Sequence, residues 1–141
     1  MEDKELSRRG SFSGVGTTGT SAALNGDIID MASNGGFESI LFIGHQSVSQ
    51  ADAALVMQQG TASGSLSDAT GDVPGLLTTL YLDAYRPTQR FVRGVFRPGS
   101  ATCAFRSLIT IPYGARSLPT THPASSTGLR VYSPGTGTAT G

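Results

Sequence analysis

The chain has 141 residues, 38% of them hydrophobic and 14% charged, and its formal net charge is zero. One cysteine and two histidines exclude a disulfide framework and a structural zinc site, which need more of these residues at fixed spacings. Zero net charge gives little attraction to phosphate, and no apolar run approaches the roughly 18 residues of a membrane span, so we expect neither a nucleic acid nor a membrane as partner. The charged first residues, with no apolar segment after them, predict no signal peptide and synthesis in a cytoplasm.

The charges are distributed unevenly along the chain. Residues 1–72 carry nine acidic and three basic residues, whereas residues 73–141 carry one acidic and seven basic residues. The favoured interpretation is that the two halves interleave in one sheet system and pair their charges locally; pairing between copies is the alternative. Nine of the ten basic residues are arginine, which suits planar, bidentate contacts with carboxylates.

The N-terminal segment, residues 1–21, is too small and polar to bury a helix face. It begins with a charged stretch and continues in a run of Gly, Ser and Thr. We predict an extended arm. Residues 14–19 match the glycine pattern of dinucleotide-binding loops, but no strand precedes them and no helix follows, so no phosphate site is expected there.

The long apolar runs lie within residues 22–113, which we predict to be an all-β body, an antiparallel β-sandwich or jelly roll. Residues 60–75, rich in Gly, Ser and Asp, are predicted to be a loop throughout. Apolar and β-branched residues predict the strands. The predicted strands cover residues 28–31, 37–45, 53–59, 79–85, 90–97 and 103–113. A short helix is the alternative for residues 53–59.

The last of these strands alternates most cleanly between apolar and polar side chains. One face carries Cys103, Phe105, Ile109 and Ile111. We predict that this apolar face packs in the core, and that Arg106 and Thr110 on the other face lie at an interface or in solvent.

The C-terminal segment, residues 114–141, is rich in Pro, Ser, Thr and Gly, and its prolines disfavour regular sheet pairing. We predict a second extended arm. Its few apolar residues are candidate anchors that could add a strand to a neighbouring sheet. The anchors assigned to the interface are Leu129, Val131 and Tyr132.

The chain offers no pair of carboxylates, catalytic triad or metal cluster, so no catalytic, cofactor-binding or metal-binding residue is predicted and an enzyme is not expected. His45 is predicted to hydrogen-bond a loop at a strand end, and His122 to lie at the surface. The densest charged feature is a strand of arginines, which favours pairing across an interface over an active-site clamp. The arginines assigned to the interface are Arg90, Arg93, Arg97 and Arg106.

Several short motifs in the body resemble a known family. They are residues 36–42 (GFESILF) with a polar loop after them, residues 85–86 (YR) and residues 89–93 (QRFVR), then a closing apolar strand and a tail with Pro and His. Over residues 36–119 the chain resembles the small capsid decoration, or cement, proteins of tailed bacteriophages. The resemblance implies a β-sandwich or jelly-roll body bound to the outer capsid lattice as a symmetric oligomer.

From this resemblance we expect a structural virion protein that bridges capsid subunits and stabilises the shell without catalysis. The expected partners are the major capsid protein and further copies of the chain, as a homotrimer or homodimer, and the expected location is the capsid surface. A head-to-tail connector or tail component is the alternative. A carbohydrate-binding or host-attachment module is disfavoured because the chain has no Trp and only four Tyr for stacking on sugars.

Overall fold

The computed structural model describes residues 6–18, 22–100, 105–118 and 120–122. Within these ranges the chain forms one short helix, α1 at Leu6–Arg9, and nine strands. No helix in the described ranges is long and apolar enough to cross a membrane. The strands are β1 Ser13–Thr18, β2 Leu24–Asn25, β3 Ile29–Asp30, β4 Ser39–Gln46, β5 Ala54–Ala62, β6 Ser65–Pro74, β7 Thr79–Tyr85, β8 Phe91–Arg97 and β9 Phe105–Tyr113.

The strands form two antiparallel sheets. Sheet A has the order β1-β9-β4-β7, and sheet B has the order β2-β8-β5-β6, with β3 also paired to β8. Apolar side chains from the facing sides of both sheets build one core, so the prediction of an all-β sandwich is confirmed. The fully buried members of this core include Ile40, Phe42, Leu55, Val92, Phe96 and Leu108.

The N-terminal segment is not an extended arm in its described part. Ser13–Thr18 forms β1, the edge strand of sheet A, and pairs antiparallel with β9. Val15 lies opposite Leu108 and packs against the core, while the glycines on either side of Val15 face outward. The prediction was wrong because one inward apolar residue is enough for an edge strand once its backbone pairs with a neighbour.

The predicted loop at residues 60–75 is also wrong. β5 continues to Ala62, and β6 returns from Ser65 to Pro74 after a two-residue turn at Ser63 and Gly64. Two register shifts interrupt this hairpin, and Gly71 has a φ of 101°, which favours glycine. A solvent-exposed edge strand needs little apolar content, so Ser and Asp do not exclude it.

The C-terminal segment packs along the N-terminal one as far as His122. Ser117 N donates to Asn34 O at 2.9 Å, Thr120 Oγ1 donates to Gly10 O, and His122 Nδ1 accepts a hydrogen bond from Phe12 N at 3.2 Å. The predicted arm is therefore docked on the body at residues 114–118 and 120–122. The remainder of the predicted arm lies outside the described residues.

Candidate interaction surfaces

The outer face of sheet A carries apolar side chains in the middle of the sheet. Ile43 of β4 lies between two ladder partners, Tyr81 of β7 and Ile109 of β9. Tyr81 and Ile109 are exposed, and Ile43 is half-buried. We call these three residues, with Phe105 on β9, the outer apolar face. Because residues 40–43 are apolar at both alternating positions, the sequence predicts a central strand that is covered on both faces. β4 is central in sheet A, but its outer face is not covered within the described residues.

The face of β9 that packs inward is the opposite of the one predicted. Phe105 and Ile109 are exposed, whereas Arg106 and Thr110 are buried. The predicted alternation of β9 is confirmed, but the assignment of its apolar face to the core is wrong. The interior of this sandwich contains both polar and apolar side chains. The sequence of one strand therefore does not decide which of its faces is directed at the opposite sheet.

Arg106 has no exposed surface and lies among polar side chains at one end of the sandwich. Its Nη2 donates to Gln50 Oε1 at 3.1 Å, and the same oxygen accepts a hydrogen bond from Gly99 N at 3.1 Å. Nearby, Gln46 Nε2 donates to the carbonyls of Gly75 and Leu77. Arg106 therefore lies inside the sandwich, where it holds loops together, and its assignment to an interface is wrong for this structure.

At the end of the outer apolar face, His45 and Phe105 have ring centroids 5.7 Å apart. His45 Nδ1 lies 3.0 Å from Thr79 Oγ1, so the predicted hydrogen bond at a strand end is present, but its predicted partner, a loop carbonyl, is wrong because the partner is a side-chain hydroxyl on β7. No group of three or more potential metal ligands forms among the residues that the structure describes. The side chains of the outer apolar face can make apolar contacts with another surface.

A tyrosine–aspartate bridge borders the outer apolar face. Tyr113 Oη on β9 donates to Asp83 Oδ1 on β7 at 2.7 Å, so the bridge spans the intervening strand β4. The hydrogen bond to Asp83, with burial as the second cause, raises the pKa of Tyr113 above its ordinary value. The bridge therefore joins β9 and β7, the two strands that flank β4.

Among the residues that the structure describes, the most exposed large apolar side chains lie on β7 or directly before it. They are Leu77 at 71% exposure, Tyr81 at 70%, Tyr85 at 65% and Leu76 at 62%. Exposed apolar residues that occur singly are ordinary, but a group of four beside one sheet edge is characteristic of a contact surface. The sequence indicated which side of β7 faces outward. Within residues 79–85 the odd-numbered positions are polar or tyrosine, whereas positions 80, 82 and 84 are apolar.

On sheet B the arginine strand pairs within the chain. Arg90 makes a bidentate contact with Asp30, with Nε to Oδ1 at 2.9 Å and Nη2 to Oδ2 at 2.8 Å. The hydrogen bond from Arg90 lowers the pKa of Asp30 below its ordinary value. Both side chains remain partly exposed.

Two further arginines of β8 join a polar network on the outer side of sheet B. Arg97 Nη2 contacts both carboxylate oxygens of Asp68, at 2.8 and 2.7 Å, and Arg93 Nε donates to Gln58 Oε1 at 2.8 Å. Gln58 Nε2 in turn donates to Asp68 Oδ1, and these hydrogen bonds, from Gln58 first and then Arg97, lower the pKa of Asp68.

The arginine pairs decide between the two interpretations of the uneven charges. Asp30 and Asp68 come from the acidic half of the chain, and Arg90 and Arg97 come from the basic half. Local pairing is therefore confirmed for these residues. Their role at an interface stays a prediction, because the guanidinium groups of Arg90 and Arg97 keep exposed surface. Leu129, Val131 and Tyr132 lie outside the described residues.

Comparisons with known proteins define the fold. No protein-family model matches the sequence, and no curated protein matches it. Among solved structures, PBSX exported protein XepA is similar, with a TM-score of 0.55 and 9% identity; the match covers 94% of this chain and 46% of XepA. A protein of Bacillus endospore appendages, described as disulfide-linked pili, matches with a TM-score of 0.46 and 12% identity over 81% of this chain and 96% of that one.

These likenesses bear on the fold alone. At 9% identity, the match to XepA shows a shared all-β architecture, and the chain spans about half the length of that protein. The appendage protein is too distant in TM-score to carry an argument. The class that the fold and the surfaces define is an all-β sandwich with an apolar outer sheet face beside an exposed sheet edge.

Proposed function

We propose that the protein is a structural component of a phage virion that binds the outer surface of the capsid and stabilises the shell by bridging capsid subunits, without catalysis. The observation that carries the proposal is the outer apolar face of sheet A. This face presents Tyr81, Phe105 and Ile109 to solvent on neighbouring strands of one sheet. An exposed apolar patch of this kind is suited to contact with another protein surface.

The chemistry of the described surfaces supports binding over turnover. On sheet B, Arg90 is paired with Asp30 and Arg97 is paired with Asp68. The outer apolar face offers hydrophobic area and aromatic edges. Burial of this area against a second surface contributes about 25 cal/mol per Å² of apolar surface, before the entropic costs of association.

The termini supply the bridging part of the proposal. The segments at residues 10–12 and 120–122 run together along the body, joined by the hydrogen bonds of Thr120 and His122. The chain continues beyond His122 with the predicted anchors Leu129, Val131 and Tyr132. In the proposal, the body binds one capsid subunit and this C-terminal portion reaches a neighbour.

A connector or tail component of the virion remains the second candidate. It would use the same apolar face, and the fold likeness to PBSX exported protein XepA favours neither function. The two differ in assembly, because a connector forms a ring at a single vertex whereas a decoration protein repeats over the lattice.

The experiment that tests the proposal is co-sedimentation of purified protein with empty capsid shells that lack it. Ile109→Glu places a charge in the outer apolar face and should weaken shell binding at least tenfold. Thr61→Glu, at an exposed position of β5, is the matched control and should bind as the wild type does. Equal binding of both variants at wild-type affinity would contradict a role for this face.

Truncation after His122 tests the bridging part separately. Removal of residues 123–141 should weaken shell binding and leave the β-sheet signal in circular dichroism unchanged. Undiminished binding of the truncated protein would show that this portion makes no contact with the shell.

A further inference from the structure

β7 forms one edge of sheet A, opposite the edge formed by β1. Within the described ranges, β7 pairs only with β4, over all seven of its residues and without a register shift. Gln46 N donates to Thr78 O at 2.8 Å and Arg86 N donates to Glu38 O at 2.9 Å, so the even-numbered positions are bonded to β4. The odd-numbered residues therefore direct their N–H and C=O groups to the free edge: Thr79, Tyr81, Asp83 and Tyr85.

The other described edges carry features that discourage pairing with another chain. β6 has two register shifts with its neighbour, a left-handed glycine at Gly71 and a proline at its end. β2 and β3 have two residues each, and β1 contains two glycines. Such short, bulged or glycine-rich edges are the usual protection against strand addition. β7 has no Pro, Gly or Lys and no bulge.

The apolar exposure described above is concentrated at this same edge. Leu77, Tyr81 and Tyr85 are each more than three-fifths exposed, and all lie on β7 or within two residues of it. An unprotected strand edge with the largest exposed apolar side chains beside it supplies both backbone hydrogen bonds and hydrophobic area to an added strand.

We infer that a second copy of this chain occupies the β7 edge, by antiparallel pairing of the two β7 strands across a two-fold axis at Leu82. The two copies of sheet A then form one continuous eight-stranded sheet. A two-fold axis makes the contact self-complementary, so each copy uses the same patch and no edge of this kind remains exposed.

The register follows from the strand itself. Centring on Leu82 pairs all seven residues of each β7 and opposes odd-numbered residues with odd-numbered residues, as the free hydrogen-bonding groups require. It places Tyr81 opposite Asp83 of the second copy, and Thr79 opposite Tyr85, with no like charges facing each other. A shift of two residues toward the C-terminal end would oppose the two copies of Asp83, which is unfavourable.

The inference concerns the free protein and does not depend on the proposed binding to a capsid. The first test is the mass of the purified chain in solution by sedimentation equilibrium. We expect twice the 14.5 kDa of the chain. Tyr81→Pro removes an N–H that faces the free edge, together with an exposed side chain, and breaks no hydrogen bond to β4; it should give a monomer with an unchanged circular dichroism spectrum. Should this variant fail to fold, Tyr81→Lys on the same edge should give the monomer.

Disulfide trapping tests the register independently of these variants. In a Cys103→Ser background, Leu82→Cys places two thiols across the axis in a non-hydrogen-bonded pair, where Cβ atoms are about 4.5–5.5 Å apart. Oxidation should give a covalent dimer. Tyr85→Cys is the matched control and should give none, because its symmetry mate lies six residues away along the paired strands.

Each contrary result overturns a defined part of the inference. A wild-type monomer at high micromolar concentration overturns the dimer, and a monomer that dimerises only after truncation at His122 assigns the edge to residues 123–141 instead. A dimer that persists in Tyr81→Pro, or that crosslinks through Tyr85→Cys alone, overturns the β7 contact. A dimer that fails to bind capsid shells supports this inference and refutes the proposed function. A monomer that binds shells supports the proposed function and overturns this inference.

Discussion

Gly94 of β8 lies directly against the ring of Phe42 in the opposite sheet, so close that a Cβ at Gly94 would meet Phe42 Cδ1 at 2.6 Å. A second contact of the same kind lies nearby: a Cβ at Gly44 of β4 would meet Phe96 Cε2 at 2.8 Å. Each sheet thus places one phenylalanine over a glycine of the other, and both rings are fully buried. The two glycines set how closely the sheets approach.

The glycine contact predicts a large effect of one methyl group. Gly94→Ala should lower the free energy of unfolding by about 1–3 kcal/mol, because the Phe42 ring must move in a filled core. Gly64→Ala is the control: a Cβ at Gly64 meets nothing within 4 Å, so its effect should stay within about 0.5 kcal/mol. Chemical denaturation measures both. Phe42→Leu should cost less in the Gly94→Ala background than in the wild type, and strict additivity of the two changes would contradict the contact.

The buried Arg106 predicts a difference between two substitutions. Arg106→Ala leaves a cavity and removes a donor to Gln50, and it should lower the free energy of unfolding by about 3 kcal/mol. Arg106→Met fills most of the same volume without a charge to desolvate, so its cost should be much smaller. Equilibrium unfolding in urea distinguishes the two. Equal destabilisation by Ala and Met would show that the guanidinium itself stabilises the fold.

The pair of Arg90 and Asp30 predicts an acid-dependent component of stability. The pKa of Asp30 is lowered in the folded state, chiefly by the hydrogen bond from Arg90, so the folded state binds the proton less tightly than the unfolded state. The stabilisation is present above the ordinary carboxyl pKa of about 4 and is lost as the pH falls through the lowered value. Urea midpoints at pH 6 and pH 3 should differ less in Asp30→Asn than in the wild type.

The same pair supplies its own control. In the Asp30→Asn background, Arg90→Gln should change the urea midpoint at pH 6 less than it does in the wild type, because the bidentate contact is already gone. An unchanged acid sensitivity in Asp30→Asn would assign the pH dependence to other carboxylates.

The bridge between Tyr113 and Asp83 predicts one tyrosine that ionises late. The chain has four tyrosines, and an alkaline titration followed by ultraviolet difference absorbance should show one with a raised pKa. Because the folded state holds this proton more tightly, the stabilisation is present below the ordinary tyrosine pKa of about 10 and is lost as the pH rises through the raised value. Asp83→Ala should lower the pKa of Tyr113 toward its ordinary value, with burial as the remaining cause of a raised pKa, and an unchanged titration in Asp83→Ala would contradict the bridge.

The strands that could be predicted from the sequence are those with a strong apolar pattern. The strand predicted at 79–85 matches β7, and the strand at 90–97 matches β8 apart from its first residue. β1 and β6 were missed because an exposed edge strand has little apolar content, and its pairing is decided by a neighbour distant in sequence. Alternation in β9 was visible, but the direction of its faces depends on the opposite sheet.

The ion pairs of β8 and the outer apolar face could be predicted from the sequence only in part. The density of arginines in β8 indicated carboxylate pairing, but the partner of Arg90 is 60 residues away in sequence and that of Arg97 is 29 residues away. Only the sheet register brings them together. The outer apolar face was missed for the same reason, since Ile43, Tyr81 and Ile109 become neighbours only when β7, β4 and β9 align.

Cryo-electron microscopy of empty capsid shells mixed with the purified protein tests the central claim most directly. The account predicts added density repeated over the lattice, with the outer face of sheet A turned toward the shell and density for the C-terminal portion on a neighbouring subunit. Bare shells, or density confined to a single vertex, would contradict capsid decoration, and the second of these results would favour the connector.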